Sequence, residues 1–170
     1  MESSSNPVLA RRRAGVLLHV SSLPAGLARG GRAFIDGMHH FEYALRDFIN
    51  IESLCNRDSL IFVHDCFPID ARSAERDQST GFWSGDIWRL IVLLKKYRPD
   101  LAIYTLGAPP TGLGLITHLD PASQVLASRL PQLIGEGLTL EFSAIAQRRP
   151  EALNLLPYDW PRVRQLLDGR

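Results

Sequence analysis

Apolar positions along this 170-residue chain switch between strand-length runs and helical spacing. Short apolar runs at 33–35 and 59–63 have the length of strands, and between them apolar residues recur at i, i+3, i+4 and i+7, which predicts an amphipathic helix over 40–54. A second helix is predicted from a Ser84 N-cap to a stop at Pro99. Alternation of strands and helices predicts an α/β fold, in which helices pack on a sheet.

The second half of the chain begins with a predicted hairpin. Apolar runs at 101–106 and 113–117 are joined by the turn-rich sequence GAPPTG. Asp120 followed by Pro121 predicts the start of a helix, because an acidic cap precedes a proline at the first helical position. Beyond it, residues 122–170 predict a helical tail divided by prolines and glycines.

Composition adds mainly exclusions. A net charge of +1 gives no reason to expect nucleic acid or a membrane surface as a partner. No apolar run approaches the roughly 18 residues of a membrane span. The two cysteines, Cys55 and Cys66, form neither a disulfide framework nor a zinc signature, so reduced thiols and a cytoplasmic location are expected.

Polar side chains follow the first two predicted strands where each strand ends. Asp36 and His39 follow the first, and His64 and Asp65 follow the second. Ligands of open α/β sheets bind outside the carboxyl ends of the strands, so these groups converge if the two strands are neighbours. They suit a divalent cation, with oxygen ligands favouring magnesium or manganese, or a base beside a substrate hydroxyl. Ordinary turn and capping chemistry is the remaining interpretation, since Asp-Gly is common after strands.

The polar segment at 68–84 is long for a compact domain, and we interpret it as a lid or binding loop. Trp83 near its end is expected to shape a ligand pocket, whereas core packing is the favoured role of Trp88. His40 lies at the predicted helix start and is interpreted as structural, as are His19 and His118.

Two stretches, "FIDGMHHFEYALRDF" and "LIFVHDCFP", resemble class I S-adenosylmethionine-dependent methyltransferases, in the group whose fourth strand reads I-D-G-D-H-x-Y-E. Four positions match that pattern: Asp36, Gly37, His39 and Glu42. Met38 replaces an acidic residue, and the pair His64-Asp65 matches the end of the fifth strand. The sequences "GDIWRLI", "YRPDL" and "PPTGLGLITHLDP" resemble the later helices and the closing hairpin, which extends the resemblance over 34–121.

The resemblance implies a Rossmann-like sheet, S-adenosylmethionine as methyl donor and a small-molecule or sugar hydroxyl as acceptor. It further implies that Asp36, His64 and Asp65 are ligands of a metal such as Mg²⁺. The catalytic residues would be Asp36, Asp65 and His39, which would position or deprotonate the acceptor. Methyl transfer is a displacement at sulfonium, so the protein mainly aligns the reactants and removes a proton.

The donor-binding half of this family is not recognisable in the sequence. Residues 1–32 contain neither the glycine-rich turn after a first strand nor the acidic residue that ends a second one, although 14–20 predicts a short strand. The sequence at 11–26 is similar to the opening of 4-α-glucanotransferases, which we interpret as coincidence or a fused fragment. We therefore expect an atypical segment at 1–32, a Rossmann-like half at 33–121 and the tail at 122–170.

An apparently truncated sheet would leave strand 33–35 as an exposed edge, and exposed edges associate readily. The alternative function is therefore a non-catalytic, methyltransferase-like module that forms a homo-oligomer or binds a partner through this edge.

Overall fold

The computed structural model describes residues 31–157 and 159–168. The elements are β1 (Arg32–Ile35), α1 (Phe41–Glu52), β2 (Leu60–His64), α2 (Trp88–Tyr97), β3 (Ala102–Leu106), β4 (Leu113–Thr117), a 3₁₀ turn (Ala127–Arg129), α3 (Leu130–Thr139), α4 (Ser143–Ala146), α5 (Arg149–Ala152), β5 (Leu155–Leu156) and α6 (Trp160–Asp168). The predicted α/β fold is confirmed. The strand predicted at 14–20 and the glucanotransferase-like stretch lie outside the described residues.

The strands form one mixed sheet in the order β1-β2-β4-β3-β5. β1 and β2 are parallel and joined through α1, with Ile35 opposite Val63, so their carboxyl ends meet at one edge of the sheet. β4 runs antiparallel to both of its neighbours, which confirms the predicted hairpin with β3. β1 is at one end of the strand order, the place of an edge strand among the described residues.

The main core lies between one face of the sheet and α1 and α2. Residues of the predicted apolar face of α1 are fully or almost fully buried: Phe41, Ala44, Leu45 and Phe48. α2 buries Leu90, Ile91, Leu93 and Leu94 in the same apolar cluster as Ile61, Val63 and Ile116 of the sheet. Each such side chain contributes about 1.5–3 kcal/mol when removed from water, so this layer holds the ends of β1 and β2 in place.

Two predicted helix starts are wrong. α2 begins at Trp88 rather than at Ser84, whose hydroxyl is buried and donates to the Ser73 carbonyl at 2.8 Å. Residues 120–126 are turns and irregular chain, and the first helical turn starts at Ala127. The Asp120 carboxylate accepts the N–H of Ala122, two residues on, at 3.0 Å, and this local turn replaces a helix cap.

The C-terminal region contains the short helices α3 to α6 and also a strand. β5 pairs parallel with β3, with Thr105 opposite Leu155, and the Thr105 hydroxyl donates to the Leu153 carbonyl at 2.6 Å. The region from 122 therefore completes the sheet as well as adding helices. Within 31–157 and 159–168, none of the helices has the length and apolar character needed to cross a membrane.

Candidate metal and acid–base site at the strand ends

The ends of β1 and β2 bring four predicted side chains together, which we call the strand-end cluster: Asp36, His39, His64 and Asp65. His64 Nδ1 lies 2.9 Å from Asp65 Oδ2 and 3.6 Å from Asp36 Oδ1. His39 Nε2 lies 3.2 Å from Asp65 Oδ2 and 4.0 Å from Asp36 Oδ1. The four residues therefore lie together at one edge of the sheet, as the sequence predicts.

Two members of the cluster have left-handed backbone conformations. His39 has a φ of 55° and Asp65 a φ of 60°, values that non-glycine residues adopt uncommonly. Such strain persists only where surrounding contacts determine it, and it concentrates at functional sites. Asp65 is also only 4% exposed, so this carboxylate is held away from bulk water.

Thr111, in the loop between β3 and β4, completes the environment of Asp65. Its buried hydroxyl donates to Asp65 Oδ1, while its carbonyl accepts the N–H of Phe67 at 2.7 Å. Gly112 beside it has a φ of +77°, and a Cβ there would lie 2.4 Å from the Cβ of Phe67. Sequence reasoning missed Thr111; the turn-rich PPTG sequence was its only signal.

Trp83, at the end of the predicted lid, contacts His39 in two ways. The two rings are stacked, with centroids 4.9 Å apart and planes 16° apart. His39 Nδ1 also lies 3.2 Å from the Trp83 carbonyl, which can only accept, so Nδ1 is the donor. With Nδ1 engaged by this carbonyl, Nε2 is the ring nitrogen that faces the two carboxylates and the cavity.

The cluster opens into a cavity of about 260 Å³. Besides the four cluster residues, its walls consist of Gly81, Phe82, Trp83, Pro110 and Thr111. Phe82 is 63% exposed at this wall, an unusual position for a large apolar ring. One side of the cavity is therefore charged and the other apolar, which suits a ligand with a hydroxyl and an apolar face.

Three of the four side chains fit a cation. One ligand atom each from Asp36, His64 and Asp65 lies within 4.8 Å of the other two. Protein ligands 2.0–2.4 Å from a shared ion lie about 3–5 Å from one another. Two carboxylate oxygens and one imidazole nitrogen suit magnesium or manganese and leave further coordination positions open.

The other residues singled out in the sequence serve elsewhere. His40 Nε2 lies 3.2 Å from the Arg76 carbonyl, and Trp88 is buried in the core as predicted. His118 is exposed beyond the end of β4, away from the strand-end cluster. His19 lies outside the described residues.

Both cysteines are free thiols, as expected. Cys66 is fully buried next to the cluster, and burial raises the pKa of its thiol to about 12. The thiolate is the nucleophilic form of cysteine, so Cys66 is not a nucleophile at neutral pH.

Glu42, which matches the methyltransferase sequence pattern, does not belong to the strand-end cluster; it forms an ion pair with Arg76. Its Oε1 lies 2.6 Å from Arg76 Nη2. Burial alone would raise the pKa of Glu42, but the hydrogen bonds and charge of Arg76 lower it below its usual value.

Comparison with protein-family models, with curated proteins and with solved structures found no match to this chain.

Proposed function

We propose that the strand-end cluster is the metal and acceptor site of an S-adenosylmethionine-dependent methyltransferase acting on a small-molecule or sugar hydroxyl. The observation that carries this proposal is the convergence of Asp36, His64 and Asp65 within 4.8 Å at the ends of two parallel strands. His39 Nε2 faces the same carboxylates, so ligand binding and proton removal share one place.

The cluster residues divide the chemistry between them. Asp36, His64 and Asp65 would hold a Mg²⁺ or Mn²⁺ ion, which supplies positive charge that orients an acceptor hydroxyl and makes it more acidic. His39 accepts the hydroxyl proton at Nε2, because its Nδ1 is engaged with the Trp83 carbonyl. Phe82 and Trp83 pack against the acceptor and exclude water from one side of the reacting oxygen.

Family membership is supported by two separate observations. The motifs at 34–48 and 60–68 occur in the order and at the strand ends that the resemblance implies. The hairpin β3–β4 places β4 antiparallel beside β2, as a closing hairpin would, and its loop brings Thr111 to Asp65. A cytoplasmic location belongs to the same proposal.

The metal site is tested by calorimetric titration of Mn²⁺ into the chain and into Asp65→Asn. Asparagine keeps the shape of the side chain, tolerates a left-handed φ and still accepts the Thr111 hydroxyl. We expect one saturable site in the natural chain and at least about tenfold weaker binding in the variant, since loss of even an outer-shell partner commonly costs that much.

Asp77→Asn is the matched control, because Asp77 is an exposed carboxylate in the same half of the chain. It should leave Mn²⁺ affinity unchanged, and thermal unfolding should show that all proteins are folded. Equal affinity of Asp65→Asn and the natural chain would make the paired-carboxylate site wrong.

A second candidate is a non-catalytic module that binds a partner or its own copy through β1. β1 ends the strand order, and its outer edge pairs with no strand in the described part of the chain. Titration with S-adenosylmethionine, with and without Mn²⁺, separates the two. Heat of binding supports the enzyme, whereas a folded, Mn²⁺-binding chain that gives no heat at high donor concentration favours the module.

A further inference from the structure

We propose that Arg76 is a positioning residue that holds His39 in the orientation needed for proton removal. It would act through the segment 73–86, which contacts both the backbone and the ring of His39. The functional part of this inference rests on the proposed role of His39 as the base. The positioning itself is a geometric claim that needs neither metal nor donor.

Arg76 ties this segment to the first turn of α1. Its Nη1 and Nη2 lie 2.9 and 2.6 Å from the two carboxylate oxygens of Glu42, a bidentate pair. Nη1 also donates to Asp86 Oδ2 at 2.5 Å. Bidentate arginine–carboxylate pairs fix geometry as well as charge. The hydrogen bonds that Arg76 donates to Glu42 and the nearby charge of Asp86 accordingly raise the pKa of Arg76, despite partial burial.

Asp86 carries the connection to the backbone around His39. Its side chain is fully buried, and its Oδ1 accepts the N–H of Phe41 at 2.8 Å. Its own N–H donates to the His39 carbonyl at 3.1 Å. The chain before and after His40 is therefore bonded to one residue, whose remaining carboxylate oxygen is bound by Arg76 and Arg89.

Trp83 carries the connection to the ring. Its indole stacks on the His39 imidazole and its carbonyl accepts a hydrogen bond from Nδ1, while its own Nε1 donates to the Glu75 carbonyl at 2.7 Å. Glu75 is the neighbour of Arg76 in sequence. The backbone carbonyl that restrains Trp83 and the side chain that binds Glu42 thus belong to adjacent residues of one turn.

Close packing shows that the segment has little room beside His39. Gly85 has a φ of +59°, and a Cβ at this position would lie 1.8 Å from the His39 carbonyl oxygen. The backbone at Gly85 therefore sits directly against His39. Loss of the Arg76 contacts would free this segment to move away, and the His39 ring would lose its stacking partner.

The test is proton NMR of the metal-free protein, because the indole ring current shifts protons of a stacked imidazole upfield. We expect the His39 ring protons of the natural chain, assigned by their absence in His39→Gln, to lie upfield of the other histidines. Arg76→Ala should move them to ordinary histidine positions. Arg76→Lys keeps a charge without the bidentate geometry and should give a smaller shift than the natural chain.

Arg72→Ala is the control, since Arg72 lies in the same segment, is exposed and makes one long contact of 3.5 Å to the Ser79 carbonyl. It should leave the His39 resonances in place. Should Arg76→Ala fail to fold, Glu42→Gln removes the charge of the other partner, and the same upfield shift should shrink.

A folded Arg76→Ala or Glu42→Gln protein with natural His39 shifts would overturn the proposal, since a purely stabilising arginine changes unfolding and not the ring environment. Mn²⁺ titration of the same samples separates this outcome from a failure of the metal site. If the upfield shift depends on Arg76 but the chain binds no Mn²⁺, Arg76 positions His39 as proposed. The proposed metal-assisted reaction would then be wrong.

Discussion

The helix α1 lies between two charged clusters that differ in how completely their charged groups are paired. One is the strand-end cluster, and the other, which we call the Arg98 cluster, consists of Glu52, Arg98 and Asp100. The strand-end cluster is next to the first turn of α1. At its last residue, Glu52 binds Arg98 through two contacts of 2.7 and 2.8 Å, and Asp100 joins the same guanidinium at 2.8 Å. Both clusters combine carboxylates with basic side chains, but the hydrogen bonds and ion pairs are complete in only one of them.

In the Arg98 cluster each charged group has a geometric match. Arg98 is 1% exposed, its fork meets both oxygens of Glu52, and Glu52 Oε1 also accepts the N–H of Asp120 at 3.1 Å. In the strand-end cluster two imidazoles approach the same oxygen of Asp65, and the backbone is left-handed at two positions. A satisfied network is typical of a structural role, whereas strain and spare lone pairs beside a cavity favour chemistry.

The largest effect is expected from Arg98→Ala. The substitution leaves Glu52 buried at 4% exposure without its cation. Removing one partner of a buried ion pair typically costs about 3–5 kcal/mol. We therefore expect the free energy of unfolding to fall by roughly that amount, as measured by urea titration.

Asp36→Asn provides the contrast from the other cluster. The Asp36 side chain is 41% exposed and the basic side chains nearest to it are the imidazoles of His39 and His64, so we expect a change within about 1 kcal/mol. If Asp36→Asn were the more destabilising substitution, the division into a structural and a functional cluster would be wrong.

An intermediate effect is expected from Gly85→Ala, which disturbs the segment 73–86 that packs against His39 of the strand-end cluster. The added methyl group would meet the His39 carbonyl at 1.8 Å in a conformation that disfavours alanine. We expect a loss of about 1–3 kcal/mol in the free energy of unfolding, the usual cost of such strain.

Gly81→Ala is the paired control for Gly85, because a Cβ at Gly81 meets nothing within 4 Å. Its free energy of unfolding should stay within about 0.5 kcal/mol of the natural value. Similar losses for the two glycine variants would mean that the segment moves freely beside His39, contrary to the packing described.

Local patterns were sufficient to predict the helices and strands that build the strand-end cluster. Apolar runs at 33–35 and 59–63 identified two strands, and the helical spacing between them indicated a connecting helix. In the structure, these strands are parallel neighbours. Since parallel strands end at one edge, the meeting of Asp36 and Asp65 was predicted on the condition that the two strands are neighbours, and β1 and β2 are neighbours.

The remaining contacts of the site join residues that are far apart in sequence, so no local pattern predicts them. Thr111 reaches Asp65 across 46 positions, and the Trp83 carbonyl reaches His39 across 44. Glu52 and Arg98 are likewise 46 positions apart, and their ion pair joins the C-terminal ends of α1 and α2. β5 was missed because two residues are too few for a strand pattern; its pairing depends on tertiary contacts with β3.

The smallest effect is expected from Asp100→Asn and shows in the pH dependence of stability. Hydrogen bonds from Arg98 lower the pKa of Asp100 below its usual value of 3.8. A carboxyl whose pKa is lowered on folding stabilises the protein above its unfolded pKa, and this contribution is lost as the pH falls through the folded pKa. The Asp100 side chain is 51% exposed, so solvent screening keeps the contribution small. At pH 6 the natural chain should therefore unfold at a slightly higher temperature than Asp100→Asn, and the difference should shrink as the pH falls below 3.8. A gap that stays constant from neutral to acid pH would show that Asp100 does not belong to the matched network around Arg98.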